Sequence, residues 1–445
     1  MLLKVLALAL FSCLSALAQL TGTYAITGGT LIDGYGGPPL RDAVIVVNGE
    51  RITAVGARGQ VTIPPGAQII AADGMSILPG LWDMHVHLML SGHSDYDHWD
   101  KTYPAQFESV IMPAAARQLL MAGVTSARDL GAPLEASINV RARIRKGVIA
   151  GPTLYVSGPF IQHAPYPGTE LFRWGVSGVE DARAKVRKLA TAGVDTIKLI
   201  DQDQMTMDEV NAVVDEAHKA KLTVVGHAHR PVEILRGLEA GVDNFEHTGL
   251  ATAPEYPAEI INAIKARTAR GGAAGPLFWT PTISVLYNYD YLRTHPVVLD
   301  DTRWHEGLPP SIVEDIRQSI AYPERLPYYS QVPYRKPTLK HKFTQLRESG
   351  VMMLIGTDSG VPMIFHSQST WNEMDVWVNQ MGVEPMDAIR AATYWPAVMM
   401  RAQKDSGTIE AGKFADIIAV RGDVLRHIDL LSRVDMVIKH GTRYK

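Results

Sequence analysis

The sequence predicts an α/β protein that consists of a (β/α)8 TIM-type barrel and a small β-sandwich domain built from both ends of the chain. Three observations predict this fold: a repeat of helical and β-rich segments in the middle of the chain, glycines at the junctions of that repeat, and short alternating strands near both termini. With 445 residues, of which 46% are hydrophobic, the chain can bury a large core.

The first 18 residues are predicted to be a secretory signal peptide. Lys4 precedes an apolar run that ends at Ala16-Leu17-Ala18, which is typical of a signal cleavage site. The run is short for a membrane span of roughly 20 residues, so we expect a periplasmic or secreted protein that has no membrane contact after cleavage. Cleavage would remove Cys13, the only cysteine, and with it disulfides and thiol chemistry. A membrane anchor, a buried first helix and lipid modification at Cys13 are the alternatives.

Residues 19–79 and 404–445 are predicted to form one composite β-sandwich domain. The segment AVIVVNGERITAVG has two alternating apolar runs around Asn48-Gly49, which is a strong hairpin signal. The segments GTIEAGKFADIIAVRG and VDMVIKHGTRYK have the same character at the other end of the chain. The two parts therefore bracket everything between them.

Residues 80–403 are predicted to form the barrel. Four segments, MAGVTSARDL, TAGVDTIKLI, EAGVDNFEHTG and ESGVMMLIGTDSG, each have a helical pattern, a glycine and a short β-rich run. Gly123, Gly193, Gly241 and Gly350 stand where a helix C-terminus favours a left-handed residue. A repeated unit of a helix followed by a buried strand predicts a parallel sheet with crossover helices. The length of the region favours a (β/α)8 barrel over a doubly wound sheet.

Ionisable residues end the predicted barrel strands, where the chemistry of such barrels lies. They are His85, His87, Asp129, Lys198, His227, His229, His247 and Asp358. Alternation along a strand turns His85 and His87 to the same face. Imidazole and carboxylate suit zinc or another borderline divalent ion, whereas unpaired buried ionisable groups are costly. The pattern therefore predicts a metal site rather than a set of packed structural histidines.

Five motifs, PGLWDMHVHL, TIKLI, VVGHAH, NFEHTG and IGTDSG, resemble in order those of the metal-dependent amidohydrolase superfamily. The resemblance is closest to the imidazolonepropionase-like and prolidase-like branch. It extends to the flanking segments LIDGYGGPPLRDAVIVVNGERITAVG, MDAIRAATYWPAVMM and GTIEAGKFADIIAV, and so covers nearly the whole mature chain.

The resemblance implies a centre of two divalent metal ions, for which we expect Zn²⁺. One ion is implied between the first and last strands, the other between the fifth and sixth, with a carboxylated lysine as the bridge. The implied ligands are His85, His87 and Asp358, then His227 and His247, and N6-carboxylated Lys198. The apolar neighbours of Lys198 independently favour a neutral amine, and a buried structural lysine paired with a carboxylate is the alternative.

The activity implied by the resemblance is hydrolysis of an amide C–N bond, in a dipeptide or an N-acyl amino acid, by metal-activated hydroxide. Asp358 is expected to move the proton, and His229 to polarise the substrate carbonyl. The reverse assignment of His227 and His229 is open. A lactonase or phosphotriesterase with the same centre, and an exported binding protein without turnover, are the alternative functions.

Substrate contacts are expected in the loop after the third strand. Relatives in this branch carry a Gly-Gly-His loop there, whereas this chain has SGPFIQHAPYPGTELF, so His163 and Tyr166 are the candidates. Arg128 and Arg230 adjoin strand ends and are candidates for a substrate carboxylate or for surface ion pairs. We expect a small-molecule substrate and a homo-oligomer. A net charge of −3 gives no reason to expect a nucleic-acid partner.

Overall fold

The computed structural model describes residues 22–270, 275–322 and 326–445. The predicted signal peptide, residues 1–18, lies outside the described residues. In the described part of the chain, no helix is both long enough and apolar enough to cross a lipid bilayer.

The described residues form strands and α-helices that are numbered here in chain order. The strands are β1 Thr23–Thr27, β2 Thr30–Leu31, β3 Ala43–Asn48, β4 Arg51–Ala57, β5 Gln68–Ala71, β6 Met75–Pro79, β7 Leu81–Val86, β8 Val124–Asp129, β9 Thr153–Val156, β10 Phe160–Gln162, β11 Arg173–Gly175, β12 Thr196–Leu199, β13 Thr223–His227, β14 Asn244–Glu246, β15 Phe278–Thr280, β16 Met352–Met353, β17 Ile417–Arg421, β18 Met436–Lys439 and β19 Thr442–Arg443. The α-helices are α1 Tyr96–Thr102, α2 Met112–Met121, α3 Leu134–Arg145, α4 Val179–Ala192, α5 Met207–Lys219, α6 Pro231–Ala240, α7 Ala258–Arg270, α8 Ser284–Thr294, α9 Pro310–Ile320, α10 Pro327–Arg335, α11 Leu339–Glu348, α12 Ser369–Val376, α13 Pro385–Ala391 and α14 Tyr394–Met399.

Both ends of the chain contribute strands to one sheet. Its strand order is β19-β18-β17-β6-β2, in which β17 pairs antiparallel with β6. A second sheet has the order β4-β3-β1-β5 and contains the hairpin predicted at Asn48-Gly49, which is confirmed. Apolar residues from both sheets share one buried cluster, for example Ile26, Ile45 and Ile417. The domain boundaries given above stay a prediction.

The middle of the chain consists of parallel strands that alternate with helices, which confirms the α/β class. The parallel sheets have the orders β7-β8-β9 and β11-β10-β12-β13-β14-β15-β16. Hydrogen bonds also join their edges. The Asp195 N–H donates to the Val156 carbonyl over 2.8 Å, and the Met84 N–H donates to the Ile355 carbonyl over 3.0 Å. The carboxyl ends of these strands therefore meet on one side of the molecule.

Glycines return the chain from helix to strand at the predicted positions. Gly193 and Gly241 end α4 and α6 in the left-handed conformation, with φ of 82° and 91°. Gly123 and Gly350, with φ of 93° and 83°, follow soon after the ends of α2 and α11. The four expected glycine positions are confirmed, and the next strand begins one to three residues after each of them.

We predict that Gly441→Ala destabilises the protein more than Gly412→Ala does. Both glycines are left-handed, with φ of 74° and 93°, so an alanine costs about 1–2 kcal/mol at either position. A Cβ at Gly441 would in addition lie 1.9 Å from the Gly49 carbonyl oxygen, whereas nothing lies within 4 Å of one at Gly412. Thermal unfolding of the two variants measures the difference. Equal losses would contradict the close approach of the two chain ends.

Candidate metal centre

Two histidines and an aspartate from neighbouring strand ends converge on one point. His85 lies in β7, His87 follows β7, and Asp358 follows β16. His85 Nε2 and His87 Nε2 lie 3.3 and 3.0 Å from Asp358 Oδ1 and 3.2 Å from each other. Both imidazoles are buried. As strand alternation predicts, they approach the same carboxylate from one face.

Three further histidines form the other half of the cluster. Nitrogen atoms of His227, His229 and His247 lie within 4.8 Å of one another. The His247 ring is 4.4 Å from the His227 ring and 5.0 Å from the His85 ring, measured between centroids, so the two halves are in contact. Lys198 in β12 is in register with Val225 in β13, and its amine is buried. The structure thus brings the predicted ligands together.

Burial sets the protonation of this cluster. It lowers the pKa of the Lys198 amine to about 8, and it lowers the pKa of His85, His227 and His247 well below the usual value. Burial alone would raise the pKa of Asp358, but the nearby His85 and His87 outweigh that effect and lower it. These three imidazoles are therefore neutral and the aspartate ionised near pH 7, which is the state that binds a metal.

The donor set fits a divalent metal ion. Among the described residues, Lys198 Nζ, His227 Nδ1 and His247 Nε2 are buried nitrogen atoms without a hydrogen-bond partner. Such atoms are rare in folded proteins because each costs about 1–3 kcal/mol. Imidazole nitrogen and carboxylate oxygen are also preferred zinc ligands. A bound cation would satisfy these groups together.

A buried ion pair between Glu246 and Arg128 fixes the orientation of the His85 ring. Glu246 Oε2 accepts a hydrogen bond of 2.8 Å from His85 Nδ1, which leaves the Nε2 lone pair facing Asp358. Glu246 Oε1 accepts a bond of 2.7 Å from the Arg128 guanidinium, which also donates to Asn244. Arg128 is fully buried and does not line the cavity. The expectation of a substrate contact or surface ion pair at Arg128 is therefore wrong, because the side chain supports the site from inside.

Three residues of the site have a strained backbone. His247 and Asp358 have φ of 74° and 59°, a left-handed conformation that costs a non-glycine residue about 1–3 kcal/mol. Thr282, with φ of 45°, has its hydroxyl 2.8 Å from His247 Nδ1. Strained residues persist where the surrounding structure fixes them and cluster at functional sites. This strain favours a functional role for the cluster over a packing role.

A cavity of about 420 Å³ lies above the cluster. Its walls are largely apolar and aromatic, and include Leu90, Tyr96, Phe160, Phe172, Leu286 and Tyr289. Among the residues that the structure describes, the cavity is lined at its base by the six predicted ligands and by His229. A concave apolar pocket with a few convergent polar groups is typical of a small-molecule site.

Of the three predicted substrate contacts, Tyr166 and Arg230 line the cavity and His163 does not. Tyr166 lines the cavity and donates a hydrogen bond of 3.1 Å to Asp201. Arg230 also lines it, but its guanidinium pairs with Asp201, Asp203 and Glu233 at 2.6 to 3.0 Å. His163 is exposed and is not among the lining residues.

Sequence reasoning missed Arg173, a largely buried cation in the cavity wall. It lies at the start of β11, and its guanidinium packs 4.6 Å from the Tyr166 ring and 4.9 Å from the Phe160 ring. It donates a hydrogen bond of 3.0 Å to the Gln162 side chain, while its Nε has no hydrogen-bond partner among the described residues. A signal existed, since Arg173 is the sole Lys or Arg in the stretch SGPFIQHAPYPGTELFRWG.

Comparison with known proteins gives one family and several relatives. The model of the Amidohydrolase family matches residues 76–443. Ochratoxinase of Aspergillus niger is 24% identical over 96% of this chain and 87% of the relative. The structure of an Xaa-Pro dipeptidase with bound methionine is 25% identical, with a TM-score of 0.72 over 95% of this chain and 100% of that chain. A prolidase in complex with N-methylphosphonate-L-proline is also 25% identical, with a TM-score of 0.74 over 95% and 99%.

We predict that Glu246→Gln lowers zinc affinity by about 10–100-fold, because the carboxylate orients His85. A competition titration with a zinc chelator measures the affinity. Glu209→Gln is the matched control, since Glu209 is also buried but binds the Thr206 and Gly178 backbone. It should change stability and leave zinc affinity unaltered. An equal loss of affinity in both variants would contradict the orienting role.

Proposed function

Since this chain belongs to the amidohydrolase family and is a hydrolase of carbon–nitrogen bonds, we propose that it is a dinuclear metal-dependent enzyme that cleaves an amide bond in a dipeptide or N-acyl amino acid. One observation carries this proposal: both halves of a histidine and aspartate cluster converge beside the buried Lys198 amine at the base of an apolar cavity. Members of the family typically bind metal.

The fold that we propose is a closed (β/α)8 barrel capped by a β-sandwich. Strands β7 to β9 pair in parallel, as do β12 to β16, and the backbone hydrogen bonds from Asp195 to Val156 and from Met84 to Ile355 join the two runs and support closure of the ring. The shared sheet of β6 and β17 supports the sandwich. We also propose that residues 1–18 direct the protein to the periplasm or outside the cell, and that it forms a homo-oligomer.

In this proposal, His85, His87 and Asp358 would hold one zinc ion, and His227 and His247 would hold the other. The bound ions supply a nucleophile at neutral pH and positive charge for the oxygen of the scissile carbonyl. Lys198 would supply the bridging ligand as a carbamate, which forms when its neutral amine adds to carbon dioxide and a proton is released to solvent. The low pKa of this buried amine supports that step.

Asp358 and His229 are the residues proposed to act on the substrate. The Asp358 carboxylate accepts a proton from the attacking water and donates it to the leaving nitrogen, so one group serves both as base and as acid. His229 lines the cavity, and burial lowers its pKa to about 4, so its ring is neutral at pH 7. A neutral imidazole N–H at this position would stabilise the developing negative charge on the carbonyl oxygen.

Arg173 is proposed to bind the substrate carboxylate. Burial lowers the pKa of the Arg173 guanidinium, and the nearby Asp100 and Asp201 carboxylates act on it without a direct ion pair among the described residues. A guanidinium matches a carboxylate through two parallel hydrogen bonds. Arg230 has its charge compensated by three acidic groups, so Arg173 is the better-placed cation. The relatives named as dipeptidase and prolidase support an amino-acid product, and the aromatic walls favour a hydrophobic acyl group.

We predict that Lys198→Met abolishes activity without loss of stability. Turnover should fall by at least about 100-fold, because losing a bridging ligand should cost at least as much activity as losing a residue that only orients a ligand. The unfolding temperature of metal-free protein should stay equal or rise, because an unpaired buried amine becomes an apolar group. Lys342→Met is the matched control: that buried amine donates to the Gly249 and Ala251 carbonyls, so this variant should lose stability and keep turnover. Wild-type turnover in Lys198→Met would contradict the bridging role.

We predict that Arg173→Met raises KM for an N-acyl amino acid by about 10- to 100-fold, with a smaller effect on kcat, because a charge-assisted contact is lost. The carboxamide of the same substrate should bind wild-type and variant equally weakly. The measurement is the KM and kcat of wild type and variant for both substrates. A lactone and a phosphotriester are assayed in parallel. Equal KM values for acid and carboxamide in the wild type would contradict the role of Arg173. Hydrolysis of the lactone or phosphotriester alone would contradict the proposed reaction.

A further inference from the structure

We propose that His93, His98 and Asp315 form a separate metal site, outside the cavity, that binds one divalent ion of the zinc type. His93 lies between β7 and α1, His98 lies in α1, and Asp315 lies in α9. One nitrogen or oxygen atom from each lies within 4.8 Å of the other two. None of the three lines the cavity. The cluster is therefore distinct from the centre described above.

The spacing of the three groups suits tetrahedral coordination. Two ligand atoms bound to zinc at about 2.0–2.1 Å lie about 3.3 Å apart when the angle is tetrahedral. His93 Nε2 and His98 Nε2 are 3.4 and 3.0 Å from Asp315 Oδ2. The two imidazole rings are nearly parallel, with centroids 5.4 Å apart. His98 and Asp315 are partly exposed, so water can reach the remaining coordination position.

His93 has a buried ring nitrogen that faces Asp315 without forming a hydrogen bond to it. Its side chain is only 3% exposed, and among the described residues its Nε2 has no hydrogen-bond partner. Its Nδ1 lies 3.0 Å from the Asp95 carbonyl oxygen. The Asp95 N–H also lies 3.0 Å from Nδ1, so the geometry accommodates a proton on either ring nitrogen. The form in which Nδ1–H donates to the carbonyl leaves the lone pair on Nε2, and a bound metal would select this form. Burial also lowers the pKa of His93, and this favours the neutral ring.

A cation at this point would fix one wall of the cavity. The segment that carries His93 already contacts α9, because the Ser94 N–H donates 3.0 Å to the Ser319 hydroxyl. Tyr96 and Asp100 of α1 line the cavity. One ion bound by His93 and His98 and also by Asp315 would link the segment before and within α1 to α9. The three residues would therefore act as positioning residues that hold α1 in place.

Zinc content tests the site directly. Wild-type protein and the variants His98→Ala and Asp315→Asn are equilibrated with buffered zinc, separated from free metal and analysed by mass spectrometry for zinc per chain. Each variant should contain one ion fewer than wild type. His218→Ala is the control, since His218 Nε2 lies 2.9 Å from Asp243 Oδ2 in a simple pair, and its zinc content should equal that of wild type. In a His85→Ala background, His98→Ala should still remove one further ion, which separates the two metal sites.

Trypsin cleavage after Lys101 gives a local readout. The Lys101 side chain is 64% exposed and lies in α1, next to the site. Zinc should slow cleavage at this bond in wild type and in His218→Ala but not in Asp315→Asn, a variant that keeps the size of the side chain. Zinc content and zinc protection that are the same in wild type, His98→Ala and Asp315→Asn would overturn the proposal. The cluster would then be a hydrogen-bonded group in which Tyr103 and His98 share the Asp315 carboxylate.

Discussion

The Glu246 carboxylate, fully buried between the Arg128 guanidinium and the His85 imidazole, is the contact on which the functional site depends. Burial raises the pKa of Glu246 to about 7 even though Arg128 lowers it, so without Arg128 the group would be protonated at neutral pH. An ionised Glu246 accepts the Nδ1–H of His85 and directs its Nε2 to Asp358. The buried ion pair between Glu246 and Arg128 thus fixes the tautomer of His85, a proposed metal ligand. Its charges also compensate part of the charge of the cluster.

The same arrangement explains why the site lies where the parallel strands end. Side chains at neighbouring strand ends reach one point, but the backbone must turn sharply to bring them there, as the left-handed His247 and Asp358 show. Such strain is tolerated where packing around it is extensive. The buried apolar residues beneath the cluster, including Trp82, Met84 and Leu354, supply that packing. The apolar cavity wall leaves the imidazoles poorly solvated, and desolvation favours their neutral form, which is the form that binds a metal.

Much of this could be predicted from sequence because the relevant signals are local. The glycines after helices and the histidines at strand ends follow from chain periodicity and from the conformations that each residue allows. Arg128 could not be placed in this way, because its burial depends on Glu246, which is distant in the sequence. The positions of Arg173 and His163 relative to the cavity could not be predicted either. Arg173 begins a strand of three residues and His163 follows another, and strands this short show no period that indicates which side chains face the cavity.

The central claim is that the six strand-end residues hold two metal ions at the base of the cavity. Anomalous diffraction at the zinc absorption edge, from crystals of zinc-loaded wild-type protein, tests it most directly. At the base of the cavity the account predicts two peaks, one between the His85, His87 and Asp358 side chains and one beside His227 and His247, with density for a carbamate on Lys198 between them; a peak at His93, His98 and Asp315 would be separate from these. A single peak at the base of the cavity, or none beside these side chains, would contradict the central claim.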